Sequence, residues 1–238
     1  MTDDTPPPDA PAVPDRLYGR RRGHPLRPRQ QALLDVTLPR LLLPAEAAAT
    51  NPATAFPGPV EEVWLEVGFT CGEHSAAQVA AHPQAGLIAS EVFENGICAL
   101  LSKLVPEGGE ADAPLPPNLR LWTEDARRLI RSLPEGSLSR LFLMFPDPWP
   151  KARHSKRRFV HPSIIPDLAR AIRPGGQWRI ATDDPTYQAW VMDVMAEQDL
   201  FEQVSLDLAR PEGWPPTRYE AKALREGRQP MYWVWRRV

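Results

Sequence analysis

From about residue 62 onward, short apolar runs alternate with longer stretches whose apolar residues recur at helical spacing. The runs are VWLEVG (63–68), GLIASE (86–91), LRLW (119–122), RLFLMF (140–145), QWRIAT (177–182), FEQVSLDL (201–208) and YWVWRR (232–237). Helices are expected near 74–82, 94–104, 125–132, 161–172 and 185–198. Strand–helix alternation of this kind means βαβ units, a parallel sheet and helices on both faces. Runs without strict alternation suit strands buried on both sides. No long helix separates the last two runs, so the final strand should be antiparallel. The predicted fold is α/β, doubly wound, with a mostly parallel seven-stranded sheet and an antiparallel last strand.

The first 61 residues follow a different pattern, with 12 of the chain's 29 prolines in the first 60 positions. Residues 1–15 are expected to be a disordered proline-rich tail, because Pro6-Pro7-Pro8 blocks helix and sheet. Residues 16–61 should form a basic arm (YGRRRGHPLRPRQQ, 18–31), a short helix with leucines at near-helical spacing (31–43) and a Pro/Ala linker (44–61). The domain proper then spans 62–238.

Composition narrows the class. A chain of 238 residues can bury a full core without staples, and its two cysteines, Cys71 and Cys98, cannot build a disulfide framework. Both read as buried thiols, and no residue set reads as a metal site. No apolar run approaches the roughly 20 residues that span a bilayer. The first residues lack the apolar stretch of a signal peptide. A soluble, cytoplasmic protein with no membrane association and no obligatory protein partner is expected.

Net charge is −2, but its distribution is uneven. Residues 16–40, 151–158 and 218–238 hold 18 of the 28 Lys and Arg and only three acids, Asp35, Glu220 and Glu226. These three segments carry +15 and the rest of the chain −17. Such asymmetry is the footprint of one basic face offered to phosphates, provided the three segments converge in space.

The candidate chemistry lies at successive strand ends. LEVGFTCGEHS (65–75) reads as a strand, a turn with Gly68 and Gly72, and a helix start. A dinucleotide-binding fingerprint needs three glycines, and Thr70 stands where the middle one would fall. Glu66, two residues before Gly68, suits a ligand carrying ammonium or sulfonium charge better than a pyrophosphate. Glu91 ends the second run, 23 residues after Gly68, the usual place for an acid that accepts from ribose hydroxyls. Asp125 follows the third run, where it can accept from an adenine amino group. An adenosine with a cationic tail describes S-adenosylmethionine better than a nicotinamide dinucleotide.

After the fourth run comes PDPWPKARHSKRR (146–158): Asp147 between two prolines, then Trp149, then a basic stripe. An acid and an aromatic on a rigid turn, followed at once by cations, set phosphate contacts beside a base-reading site. With LEVGFTCG, the acid of ASEVFENG, IATD (180–183), TRYE (217–220) and YGRRRG, this stretch closely resembles the bacterial tRNA (guanine-N7-)-methyltransferases over about residues 17–238. The resemblance implies a Rossmann-like class I methyltransferase fold, S-adenosylmethionine as cofactor and tRNA as partner. The implied reaction is methyl transfer to N7 of a guanine in the variable loop. It also implies that Glu66, Gly68, Gly72, Glu91, Asp125 and Asp147 contact the cofactor and that Asp147 is catalytic. Lys151, Asp183, Thr217, Arg218, Tyr219 and Glu220 would bind substrate. Arg153, His154, Ser155, Lys156, Arg157 and Arg158 would contact RNA.

The sequence departs from the family pattern at the cofactor turn, usually Gly-x-Gly-x-Gly, where Thr70 replaces the middle glycine. If that position takes a positive φ, a β-branched residue costs energy there and weaker cofactor binding is expected. Arg218 replaces the usual lysine of TKFE and keeps the charge. Asp183 can orient the base or Lys151, or cap the helix expected near Pro185. Asp147 can stabilise charge developing on the purine, or accept from guanine N1–H and N2–H. Three other readings stand beside a tRNA methyltransferase. A nicotinamide oxidoreductase is disfavoured by Glu66 and the missing glycine. A non-catalytic RNA-binding module would follow if Thr70 closed the cofactor site. A small-molecule methyltransferase leaves the basic segments unexplained.

Overall fold

The structure, a computed structural model, describes residues 18–238; the proline-rich tail of residues 1–15 lies outside the described residues. Helices α1 (Pro28–Ala32) and α2 (Ala45–Thr50) precede the alternating core of β1 (Glu62–Val67), α3 (Glu73–Ala81), β2 (Ala85–Ser90), α4 (Glu94–Leu104) and β3 (Leu119–Trp122). There follow α5 (Ala126–Ser132), β4 (Leu138–Met144), α6 (Ile165–Ala171), β5 (Ile172–Thr182), α7 (Pro185–Ala196), β6 (Phe201–Asp207), α8 (Arg218–Arg225) and β7 (Met231–Arg237). The sheet order is β3-β2-β1-β4-β5-β7-β6, with β7 antiparallel to both β5 and β6. This is the doubly wound α/β fold with an antiparallel last strand that the apolar pattern predicts.

The two faces of the sheet bury separate cores. On one, Leu129 of α5, Leu168 of α6 and Val191 of α7 pack with Leu65, Leu141, Trp178 and Trp233. On the other, Val79 of α3 and Leu100 of α4 pack with Trp64, Leu87, Phe142 and Tyr232. Strand β1 shows the sorting: Val63, Leu65 and Val67 face the first core and Trp64 the second. The two-residue side-chain period therefore turns Glu66 toward α3.

Two expectations for the N-terminal segment change. Residues 44–61 are not a linker: they contain α2 and a 3₁₀ turn, Pro52–Ala55, and bury Ala48 and Phe56 in the first core. The alanines and prolines bury small apolar surfaces, which composition alone does not separate from a spacer. The basic arm, which from its sequence could order on a partner, is held by its own chain. Glu94 N donates to Arg21 O (2.9 Å), Gly23 N donates to Asn95 Oδ1 (2.9 Å), and Asn95 Nδ2 donates to His24 O (3.1 Å). A side chain at Gly23 would meet Asn95 Oδ1 at 2.7 Å, so the arm lies flat on the start of α4. Leu41 and Leu43 then pair with Leu121 at the outer edge of β3, through Leu43 N to Leu121 O (2.9 Å) and Leu121 N to Leu41 O (2.8 Å). Among the described residues no helix is long and apolar enough to cross a membrane.

Candidate active site

The carboxyl ends of β1 to β4 open onto a cavity of about 700 Å³, lined by Gly68, Thr70, Glu91, Phe93, Glu124, Asp125, Asp147 and Trp149 among others. Open parallel sheets bind ligands at this edge, and the volume lies within the range of about 300–1,000 Å³ typical of small-molecule sites.

The first turn is built on positive backbone angles: Gly68 at φ +73°, Thr70 at +53° and Gly72 at +72°. Gly72 needs glycine twice over, since a Cβ there would also lie 2.7 Å from the Leu100 side chain. It starts α3 and lies outside the cavity lining, packed against Leu100. Thr70 holds the glycine-like conformation, and its N–H donates to Glu91 Oε2 (2.8 Å). The turn keeps its shape and the cavity stays open, so the closed site of a non-catalytic module is not observed. A left-handed residue other than glycine costs roughly 1–2 kcal/mol. Thr70→Gly is therefore expected to raise Tm by about 2–4 °C for each net kcal/mol relieved in a chain of this size. Thr70→Ala keeps the left-handed cost and should give no comparable rise, which a thermal melt of the two variants checks.

Glu91 accepts three backbone N–H groups: Thr70 on Oε2, and Val92 (2.8 Å) and Phe93 (3.0 Å) on Oε1. A carboxylate has about four acceptor sites, so one remains for a ligand hydroxyl. Burial raises its pKa above the ordinary value, against the pull of those three N–H groups, and the Asp147 charge adds to the rise. Asp125 caps α5 by accepting from Arg127 N (2.9 Å), and its Oδ2 lies 2.6 Å from Arg127 Nη2. Burial opposes ionisation of Asp125, but the Arg127 contacts outweigh it and its pKa falls. Most of its acceptor capacity is already used. Glu66 does not reach the cavity. It is 1% exposed, accepts from Ser75 Oγ (2.5 Å), and lies 3.1 Å from His74 Nδ1, beneath the first turn of α3.

After β4 the chain enters a loop with Phe145 at φ +52° and Trp149 at +44°, both outside the range that bulky residues favour. Asp147 lies between them, exposed to the cavity, and accepts no hydrogen bond from the described residues. It is the one carboxylate among Glu91, Asp125 and Asp147 not committed elsewhere. The stripe that follows is a 3₁₀ turn, Ala152–Arg157, with Lys151, Arg153 and Lys156 exposed and His154 and Ser155 half-buried. Slight desolvation and the neighbouring Arg157, Arg153, Lys151 and Lys156 hold the His154 pKa below its ordinary value. Lys151 does not line the cavity.

Two members of the stripe turn away from solvent. Arg157 lines the cavity, with its guanidinium 4.9 Å from the Trp149 ring centroid and 5.3 Å from that of Tyr18. Arg158 is 5% exposed and points inward, so its expected RNA contact is not observed. Tyr18 and Arg20, which the sequence did not single out as site residues, bring the basic arm into the same cavity. The three basic segments thus converge: Arg20, Arg157 and Arg218 all line it.

Segment 217–220 divides. Arg218 and Tyr219 line the cavity, with Arg218 Nη2 donating to Tyr219 Oη (3.1 Å). Thr217 caps α8 by accepting from Glu220 N (3.1 Å), and Glu220 is 8% exposed beneath the helix. Neither lines the cavity: Thr217 and Glu220 set the start of the helix that presents Arg218 and Tyr219 to it. Asp183 also stays outside it, accepting from Arg228 Nε (2.6 Å), while the cap of α7 is Asp184, which accepts from Tyr187 N (2.9 Å). Cys98 is buried as expected, its thiol pushed up to about 11 by burial and by Glu94, whereas Cys71 is only half-buried.

Residues 60–232 match a family described as "Putative methyltransferase". The chain is 62% identical to the tRNA (guanine-N(7)-)-methyltransferase of Granulibacter bethesdensis, over 92% of this chain and 94% of that protein. It is 44% identical to the protein of the same name from Rhodospirillum rubrum, over 97% of this chain and 91% of that one. The solved 16S rRNA methyltransferase KamB shares the fold at TM-score 0.56 and 18% identity, covering 75% of this chain and 89% of that chain.

Proposed function

The chain belongs to the bacterial tRNA (guanine-N7-)-methyltransferase family, and from that premise we propose that it methylates N7 of a guanine in the tRNA variable loop, using S-adenosylmethionine, in the cytoplasm. The observation that carries this reading is the mixed charge of one cavity. Arg20, Arg157 and Arg218, one from each basic segment, meet Glu91, Glu124, Asp125 and Asp147 there. Cations from three segments suit a polyanionic backbone, and clustered carboxylates suit a ligand with cationic and hydroxyl groups.

The residues fit the cofactor. Glu91 retains an acceptor site for a ribose hydroxyl, Gly68 bears no side chain at the cavity wall, and Asp147 faces the same space uncommitted. Bound S-adenosylmethionine supplies an electrophilic methyl group on a sulfonium centre. Guanine N7 carries a free lone pair and no proton, so the chain need not provide a general base. Its work is alignment and electrostatics. As guanine N7 takes the methyl group the methyl–sulfur bond would break, the sulfur leaving as a neutral thioether, and the positive charge would pass to the purine. A carboxylate at Asp147 therefore stabilises the transition state more than neutral bound guanine. The exposed Arg153 and Lys156 hold tRNA phosphates, and Arg20, Arg157 and Arg218 hold those nearest the target base.

The test is methylation of an unmodified tRNA transcript by the purified chain alone, with radiolabelled S-adenosylmethionine. Borohydride–aniline treatment then cleaves at N7-methylguanine. Cleavage at a variable-loop guanine is expected. Label without such cleavage would keep methyl transfer and discard N7, and no label on any of several tRNAs would overturn the reading.

A further inference from the structure

The loop that carries Asp147 is poorly equipped to hold its own shape. Pro146, Pro148 and Pro150 remove every second backbone N–H across 146–150, and the loop includes two non-glycine residues at positive φ. Its entry is tied by Phe145 N donating to Ala181 O (2.7 Å). Beyond Asp147, the two successive carbonyls of Pro148 and Trp149 are bonded by a single side chain. Arg158 Nε donates to Pro148 O (3.1 Å) and Arg158 Nη2 donates to Trp149 O (3.1 Å).

Arg158 is in turn fixed from behind. Its guanidinium lies 4.8 Å from the Trp190 ring centroid on α7, and Trp190 Nε1 donates to Val160 O (2.5 Å). Val160 N donates to the hydroxyl oxygen of Tyr187 (3.2 Å), also on α7. Among the described residues no carboxylate pairs with Arg158. The charge of this buried cation is met by two carbonyl dipoles and an aromatic face, an arrangement that suits a planar guanidinium and not an ammonium.

We propose that Arg158 is a positioning residue for Asp147, and that it connects α7 to the catalytic loop instead of binding RNA. The inference rests on the functional reading above, since the position it holds matters only if Asp147 acts on the substrate. Arginine is required because two adjacent carbonyls must be bonded at once by a rigid fork.

The experiment compares Arg158→Ala and Arg158→Lys with the wild-type chain, reading kcat at saturating tRNA and tRNA affinity across a salt series. Both variants should lose about 100-fold in kcat, the scale set by small misplacements of a reacting group. Their tRNA Kd should stay within about twofold and their salt slope unchanged, because no phosphate contact is lost. Added guanidinium at tens of millimolar should restore part of the Arg158→Ala turnover. Lys156→Ala is the reference for a true phosphate contact and should reduce the magnitude of the salt slope by about one. A tRNA Kd raised tenfold with a similarly shallower salt slope, and normal kcat at saturation, would make Arg158 an RNA contact and overturn the proposal. If Arg158 variants do not fold, Trp190→Leu loosens the same fork from outside the cavity. It should lower kcat about tenfold with an unchanged salt slope, and unaltered kcat would overturn the proposal. An inactive wild-type chain would sink the functional reading alone, and the affinity series would still decide whether Arg158 meets RNA.

Discussion

Asp147→Asn is expected to lower kcat by about 10²–10³-fold, the range found when one preorganised electrostatic group is removed from a transition state. The substitution keeps size and shape and removes the charge. Asp147 accepts no hydrogen bond from the described residues, so the fold loses nothing and stability should stay within about 0.5 kcal/mol. S-adenosylmethionine affinity is expected to change little, because the remaining acceptor site of Glu91 is untouched. The loss therefore falls on kcat and on kcat/KM alike, the signature of an interaction made in the transition state. The same variant separates the two roles open to this carboxylate. If it acts through its field, guanine stays the preferred base and only the rate falls. If it accepts from guanine N1–H and N2–H, discrimination against a tRNA with adenine at the target position falls as well. Unchanged turnover of Asp147→Asn would remove the residue from the chemistry.

Much of this site was legible because a doubly wound sheet puts the carboxyl ends of its parallel strands on one edge, so locating those strands locates the candidate site. Five of the seven strands lie in the parallel core β1 to β5, and β1, β2 and β4 are buried almost throughout, so each reads as a short apolar run without alternation, whereas β3 and β5 alternate. What the sequence hid was the direction in which charged side chains point. Glu66 follows Trp64 by two residues on a strand, so period-2 geometry already places it on the α3 face and not at the strand tip. Within RHSKRR a run of cations gives no periodicity that marks Arg158 as the buried one. The only local signal is indirect: a loop with prolines at 146, 148 and 150 needs a side-chain donor, and Arg158 supplies it. Tyr18 and Arg20 were missed for another reason. Their arm is fixed by contacts such as Gly23 to Asn95, 72 residues apart in the chain, which no local pattern encodes.

In segment 217–220 a capping box stands beside two cavity residues, and Glu220→Ala should make its structural share measurable. Thr-x-x-Glu is the capping-box pattern, and here Thr217 N donates to Glu220 Oε2 (3.5 Å) while Glu220 N donates to Thr217 Oγ1 (3.1 Å). The same carboxylate accepts from Arg210 Nε (3.0 Å) and from the Tyr232 hydroxyl (2.9 Å). Burial, and after it the bond to Glu220, push the Tyr232 pKa up, so this hydroxyl remains a donor throughout the neutral range. Truncation to alanine leaves the buried Tyr232 hydroxyl without its acceptor, Arg210 without its counter-charge and α8 without half its cap. Breaking a buried pair costs about 3–5 kcal/mol, and the partial exposure of Arg210 places this case near 3. For a chain of this size that is a fall in Tm of roughly 6–12 °C. Glu220→Gln keeps an acceptor for Tyr232 and should cost only about 1 kcal/mol. Below its melting range, Glu220→Gln should turn over within a few-fold of wild type, because Arg218 and Tyr219, the two residues just before it on the same helix, are the ones that line the cavity. A Glu220→Gln variant with unchanged Tm and turnover reduced a hundredfold would return Glu220 to the substrate.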